Sequence, residues 1–121
     1  MAYDESLAGR VEDALAGQIG IVKKKMFGVV CYMRDGNAFA GVWDDSLIVR
    51  TGPVAYKAAL QESFVREFDI TGKPMTGWVV VVPEAIDEDP ELRKWLNRAM
   101  DFAKTLPKKT QTKLRKRPKK I

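Results

Sequence analysis

Between Lys23 and Arg50 the chain reads KKKMFGVVCYMRDGNAFAGVWDDSLIVR, short apolar runs broken at Asp35-Gly36-Asn37 and at Asp44-Asp45. Glycine takes positive φ at little cost, and Asp or Asn side chains close their own turns, so each break predicts a chain reversal. The expected result is an antiparallel meander with strands at Val29–Met33, Ala38–Trp43 and Ser46–Arg50, entered by a short strand over Ile21–Met26. Strict alternation along the second of these puts Phe39 and Trp43 on one face and Ala38, Ala40 and Val42 on the other. An aromatic stripe with small neighbours is where a helix docks on a sheet. The Lys23-Lys24-Lys25 run reads as solvated edge charge, which discourages sheet-to-sheet aggregation.

Around this meander the pattern changes to helical spacing. Leu7, Val11, Ala14 and Leu15 form one stripe, capped by Asp4 or Ser6 and stopped at Gly17, which predicts a helix over about Ser6–Ala16. After Thr51-Gly52-Pro53 the sequence predicts a second, short helix through Leu60, with Pro53 in its first turn. Gln61–Arg66 reads as a connector, Phe68–Ile70 as a further strand, and Thr71-Gly72-Lys73-Pro74 as a turn. Trp78–Val82 is apolar on both faces, so it predicts an interior strand with helices on one side and something covering the other. Asp89 as cap and Pro90 at the first helical position open a third helix. Leu92, Trp95, Leu96, Ala99, Phe102, Ala103 and Leu106 carry its stripe to Pro107. The fold class that follows is α+β: two layers, an antiparallel sheet with helices mainly on one face.

Charge divides the chain in a way the total conceals. Of 21 Lys/Arg and 16 Asp/Glu, 13 of the bases and all of the acids lie before Pro107. The body is therefore acidic by three charges, and residues 108–121 carry eight bases with no acid. Lys108, Lys109, Lys113, Arg115, Lys116, Arg117, Lys119 and Lys120 make a tail too polar to fold alone, and phosphates are its natural partner. The expected division is a folded unit over 1–107 followed by a basic tail over 108–121. Apolar runs are of strand length, so no membrane association is expected. The start Met1-Ala2-Tyr3-Asp4-Glu5 has no secretory character, and a lone Cys31 cannot form an internal disulfide; both suit the cytoplasm.

Chemistry is constrained chiefly by what is missing. With no histidine in the sequence, His-based triads, His general bases and His metal ligands are excluded. Cys31 has no CxxC partner and reads as a small buried hydrophobe. Gly72-Lys-Pro-Met-Thr-Gly77 has the glycine spacing of a phosphate loop, but Trp78 and Val79 stand where Lys and Ser/Thr are required. Asp44-Asp45 and Asp87-Glu88-Asp89 read as a turn and a helix start rather than a metal loop. No catalytic residue, metal site or cofactor is expected. Lys25 and Arg50 are the candidates for binding an anion.

Three separated segments together resemble the TfoX/Sxy N-terminal domain family. They are Lys25-Met26-Phe27-Gly28, Asp45–Pro53 (DSLIVRTGP) and Phe68–Gly77 (FDITGKPMTG). The resemblance covers about residues 1–107, with one departure: Val29 stands where a second glycine often follows Met-Phe-Gly. It implies a two-layer domain similar to the secretion-chaperone-like folds. It also implies kinship with bacterial regulators that promote natural-competence genes and carry a second, C-terminal domain, where a basic tail follows here. The motif residues Met26, Phe27, Gly28, Gly52, Gly72, Pro74 and Met75 read as turns and apolar packers. Two functions of different class follow. One is a non-enzymatic regulatory or adaptor module that acts through protein contacts in transcription regulation, with non-specific nucleic-acid binding by the tail. The other is a small-molecule or enzymatic domain with a pocket near Lys25, Arg50 and Trp43. A homodimer is expected, held by the sheet face away from the helices or by a strand edge.

Overall fold

The structure is a computed structural model that describes residues 3–26, 28–69 and 72–107. The eight basic tail residues, Phe27 and Ile70 therefore lie outside the described residues, as does the side chain of Met26. Among the described residues the order is α1 (Glu5–Leu15), β1 (Ile21–Met26), β2 (Val29–Arg34), β3 (Asn37–Trp43), β4 (Ser46–Arg50), α2 (Pro53–Leu60), β5 (Val65–Glu67), β6 (Trp78–Val81) and α3 (Asp89–Ala103). The fold is α+β: the strands form one antiparallel sheet in the order β1-β2-β3-β4-β6-β5. β6, the all-apolar strand, lies inside the sheet between β4 and β5.

The turns follow the sequence chemistry. Asp35 and Gly36 both take positive φ, 53° and 82°, and join β2 to β3 through a two-residue hairpin in which Arg34 pairs with Asn37. Positive φ at both central positions matches the right-handed twist of the flanking strands. Asn37 is buried, and its side-chain amide donates to the Pro107 carbonyl at 2.8 Å, which ties the end of the α3 segment to this hairpin.

One face of the sheet carries the helices and the main core. Val30, Tyr32, Val42, Leu47, Val49, Val79 and Val81 meet Leu7 and Val11 of α1, Tyr56 and Ala59 of α2, and Leu92, Leu96 and Ala99 of α3. Asp4 caps α1, its carboxylate accepting from the amides of Ser6 and Leu7 at 2.8 and 3.3 Å. α1 ends one residue before the expected Ala16, with Ala16 as its C-cap in right-handed conformation; the positive-φ glycine that follows is Gly20, not Gly17.

Three expectations are corrected. Phe39 and Trp43 do not share a face: Tyr32 pairs with Ala40 and Met33 with Ala38, so Phe39 is the extra residue of a β-bulge. A bulge breaks the two-residue alternation, and Phe39 joins the helix-side core while Trp43 faces the other way. The strand expected from Phe68 is instead Val65–Glu67, and Phe68 turns off the sheet edge to pack across its back. Asp89 is the first helical residue rather than the cap; its carboxylate accepts from Arg10 at 3.0 Å. The same Arg10 Nη2 donates to the carbonyls of Ile86 and Asp87 at 2.8 and 3.2 Å, clamping α1 to the start of α3.

Candidate functional site

β4 ends in Arg50-Thr51-Gly52, and the segment before β6 ends in Gly77-Trp78; the chain brings these two ends together. The Gly77 carbonyl accepts from the amides of Thr51 at 2.7 Å and Gly52 at 3.1 Å, and from the Thr51 hydroxyl at 3.2 Å. Gly52 sits at φ 84°, and any Cβ there would run into the ring of Phe102 from α3. Glycine is thus required twice over at this position, by conformation and by space. Arg50 crosses the junction. Its Nη1 donates to the Ala38 carbonyl at 3.1 Å, and its guanidinium lies 5.5 Å from the ring centre of Trp78 and 5.4 Å from that of Phe102. Cation–π contacts at these distances hold the side chain against the fold. Arg50 is only half-exposed, and its role in this arrangement is to tie β3, β4, β6 and α3 to one another.

Lys25 is elsewhere. It lies in the cross-strand row of Val30, Val42 and Leu47, while Arg50 is three residues further along β4 and three strands away. Strand spacing and rise put about 17 Å between them. Lys25 pairs across with Val30 of the helix-side core and Arg50 with Trp78 of the opposite face, so their side chains do not converge on one anion. Lys25 instead stands 6.0 Å over the ring of Tyr3. Trp43 lines a shallow depression with Arg66, Glu67, Asp69 and Val80, apart from both cations.

The back of the sheet holds a second, smaller cluster. Phe68 lies over Val29, Ile48 and Val80, with its ring 5.9 Å from Trp43 in an edge-to-face contact and 6.3 Å from Trp78. Val29 fills this cluster where a glycine would leave a gap, and Gly41 beside it has room for no side chain, because a Cβ would stand 2.7 Å from the Val30 carbonyl. Gly72, Pro74 and Met75 lie in the exposed stretch that carries the chain from Phe68 to β6, with the Met75 amide donating to the Phe68 carbonyl at 2.9 Å.

Glu12, Tyr32 and Cys31 are held by their surroundings. Burial would raise the Glu12 carboxyl, but hydrogen bonds from the buried Tyr32 hydroxyl at 2.8 Å and from Lys23 at 3.1 Å outweigh it and hold the carboxyl below its ordinary range. Burial, reinforced by Glu12, pushes the Tyr32 phenol far above its ordinary value. Burial also raises the Cys31 thiol, against a smaller opposing pull from Lys24. A raised thiol pKa keeps the nucleophilic thiolate scarce. No group of three or more His, Cys, Asp or Glu side chains among the described residues is placed to hold a metal ion.

Arg50, Gly52 and Trp78 thus meet at one junction, whereas Lys25 lies apart from them and Gly72, Pro74 and Met75 lie in an exposed stretch. The model of the TfoX N-terminal domain matches residues 13–103, well over half of the chain. The chain belongs to the TfoX N-terminal domain family. No curated protein and no solved structure matches it. In this TfoX N-terminal domain the Arg50–Gly52 and Gly77–Trp78 segments are one structural junction. Sequence reading found Arg50, Gly52 and Trp78 but missed Thr51, Gly77 and Phe102 as their partners. The available signal was a glycine directly preceding a strand that begins with tryptophan. No helix of the described residues is long and apolar enough to cross a membrane.

Proposed function

We propose that this protein is a non-catalytic regulatory or adaptor module, related to competence regulators, that acts through protein contacts and adds non-specific nucleic-acid affinity through Lys108–Lys120. The family match over residues 13–103 is the observation that carries the regulatory reading. The charge distribution extends it: an acidic body repels a polyanion, while eight unopposed bases neutralise phosphates and release counterions without reading bases. The placement of Arg50 against Ala38, Trp78 and Phe102, far from Lys25, favours this reading over a convergent anion pocket.

A gel-shift titration on duplex DNA tests it. If about half of the tail charges engage, log affinity falls against log salt with a slope of about −3.6. A chain ending at Pro107 should lose nearly all binding and keep its melting temperature, since the described core lies wholly before that point. Equal affinity of the intact and shortened chains, or no salt dependence, sinks the nucleic-acid half. Self-association belongs to the same proposal. Because Phe68 covers Val80, the interface moves from the sheet's back to a strand edge. At β5, adjacent Arg66 and Glu67 can pair with their own two-fold copies. Light scattering that finds a monomer at tens of micromolar, roughly the range for a modest interface, counts against it.

A further inference from the structure

Among the described residues β1 pairs only with β2, so over six residues, Ile21–Met26, one side of its backbone faces no other described strand. The opposite edge, β5, is only three residues long. An open edge is a template for another extended chain unless something on it discriminates. Here three consecutive lysines do so, and they project to both faces. Lys23 and Lys25 pair across with Tyr32 and Val30, on the helix side, whereas Lys24 pairs with Cys31, on the back. Lys23 is met by Glu12 at 3.1 Å and Lys25 stands over Tyr3, but Lys24 makes neither kind of contact among the described residues. On Lys24's face, Val22 is 59 % exposed, an apolar position two residues along the same strand.

We propose that the free edge of β1 receives an acidic extended segment of a protein partner as an added strand. This rests on the regulatory reading for the existence of a partner, and it names the surface and the partner's chemistry. The lysines select the occupant. A second copy laid against β1, with the strands centred on each other, would bring lysine opposite lysine at cross-strand separations of about 5 Å, where like charges are destabilising. Laid with its acids toward the back face, a segment alternating acidic with β-branched residues meets Lys24 favourably and satisfies the backbone groups of the edge. Nucleic acid is disfavoured at this place: it cannot satisfy a row of strand amides and carbonyls, and Glu12 already neutralises one of the lysines. The lysines that guard the edge against self-pairing are thus the element that makes it specific.

The test uses the full ¹⁵N-labelled chain and a synthetic peptide of about eight residues, a common strand length, alternating Glu and Thr. Amide shifts are expected to concentrate in Ile21–Lys25, and affinity should fall with added salt. Lys24→Glu should weaken binding about three- to tenfold, while Lys24→Arg restores it. Both substitutions are at an exposed position, and a circular dichroism spectrum confirms the fold. A peptide of the same sequence, N-methylated at alternate amides so that it cannot complete the ladder, should bind at least about tenfold more weakly. Equal binding of the methylated peptide would mean charge attraction without strand addition and overturns the proposal. Shifts centred away from β1 overturn it as well. So would a duplex DNA that shifts the β1 amides when the peptide does not, which would make the lysines a phosphate contact. The tail's bases also attract an acidic peptide, but only binding at β1 shifts Ile21–Lys25 and responds to Lys24→Glu, so this proposal and the tail's binding fail separately.

Discussion

The two faces of the sheet are closed by different means. On one, α1 and α3 lay down continuous stripes, and residues such as Val11, Leu92 and Leu96 are buried against Val30, Val42 and Leu47. On the other, a single aromatic from the β5–β6 connection, Phe68, closes over Val29, Ile48 and Val80, with Trp43 and Trp78 as half-exposed flanks. The helical face distributes its burial over many side chains. The back concentrates it on one. Loss of a contact should therefore cost most on the helical face in free energy, and on the back in exposure.

Leu96→Ala probes the helical face. Leu96 is 1 % exposed in the main core, and its truncation should cost about 3–4 kcal/mol by lost transfer energy and an unfilled cavity, read from urea unfolding. Gly52→Ala strikes the rim where the two layers meet. The added methyl must take positive φ and displace the Phe102 ring, a cost of about 2–3 kcal/mol. Substituting Phe102 with Leu in the same chain should recover part of that loss. A Gly52→Ala chain as stable as the parent would mean that the junction does not hold α3 to β4.

Phe68→Ala separates the two modes of covering. We expect a loss of about 2 kcal/mol, below a fully enclosed Phe truncation because the surrounding stretch can settle inward. Ile48 and Val80 should become accessible, with red-shifted tryptophan emission, binding of a hydrophobic dye and greater self-association. If Phe68→Ala binds no dye and keeps the parent emission, the back is closed by something other than this ring.

The smallest effect is expected for Tyr32→Phe. Its hydroxyl donates to the partly exposed Glu12, so the loss at neutral pH should be about 1 kcal/mol. The Glu12 carboxyl is held below its ordinary range, so its stabilisation is present above the ordinary carboxylate pKa and disappears as pH falls through the lowered folded value. The stability gap between parent and Tyr32→Phe should accordingly narrow in acid. A gap that stays constant as pH falls from neutral through and below the carboxylate range would contradict the Tyr32–Glu12 linkage.

The same contrast explains what could be read in advance. The stripes of α1 and α3, the Asp35-Gly36 hairpin and Pro53 at the start of α2 are local patterns, and each lies where its spacing puts it. β6 announced by its all-apolar composition that both sheet faces were covered, but not what covered the second. That depended on Phe68, whose position follows from β5 ending at Glu67 rather than from any periodicity of its own. The Phe39 bulge was equally invisible, because inserting one residue into a ladder leaves the sequence pattern unchanged while reversing the face. The junction of Thr51, Gly52, Gly77 and Phe102 joins three separated segments, and long-range pairing of that kind has no local signature.

Because the chain itself covers both faces of the sheet, the nucleic-acid contact proposed above falls to the tail and not to the folded body. The most direct measurement is a heteronuclear NMR titration of the full ¹⁵N-labelled chain with duplex DNA at low salt. It should broaden or shift the amides of Lys108–Lys120, leave those of residues 3–107 in place, and reverse on adding salt. Shifts that run across β1 to β6 or along α3, with the tail signals unchanged, would contradict it and make the folded domain the nucleic-acid-binding surface.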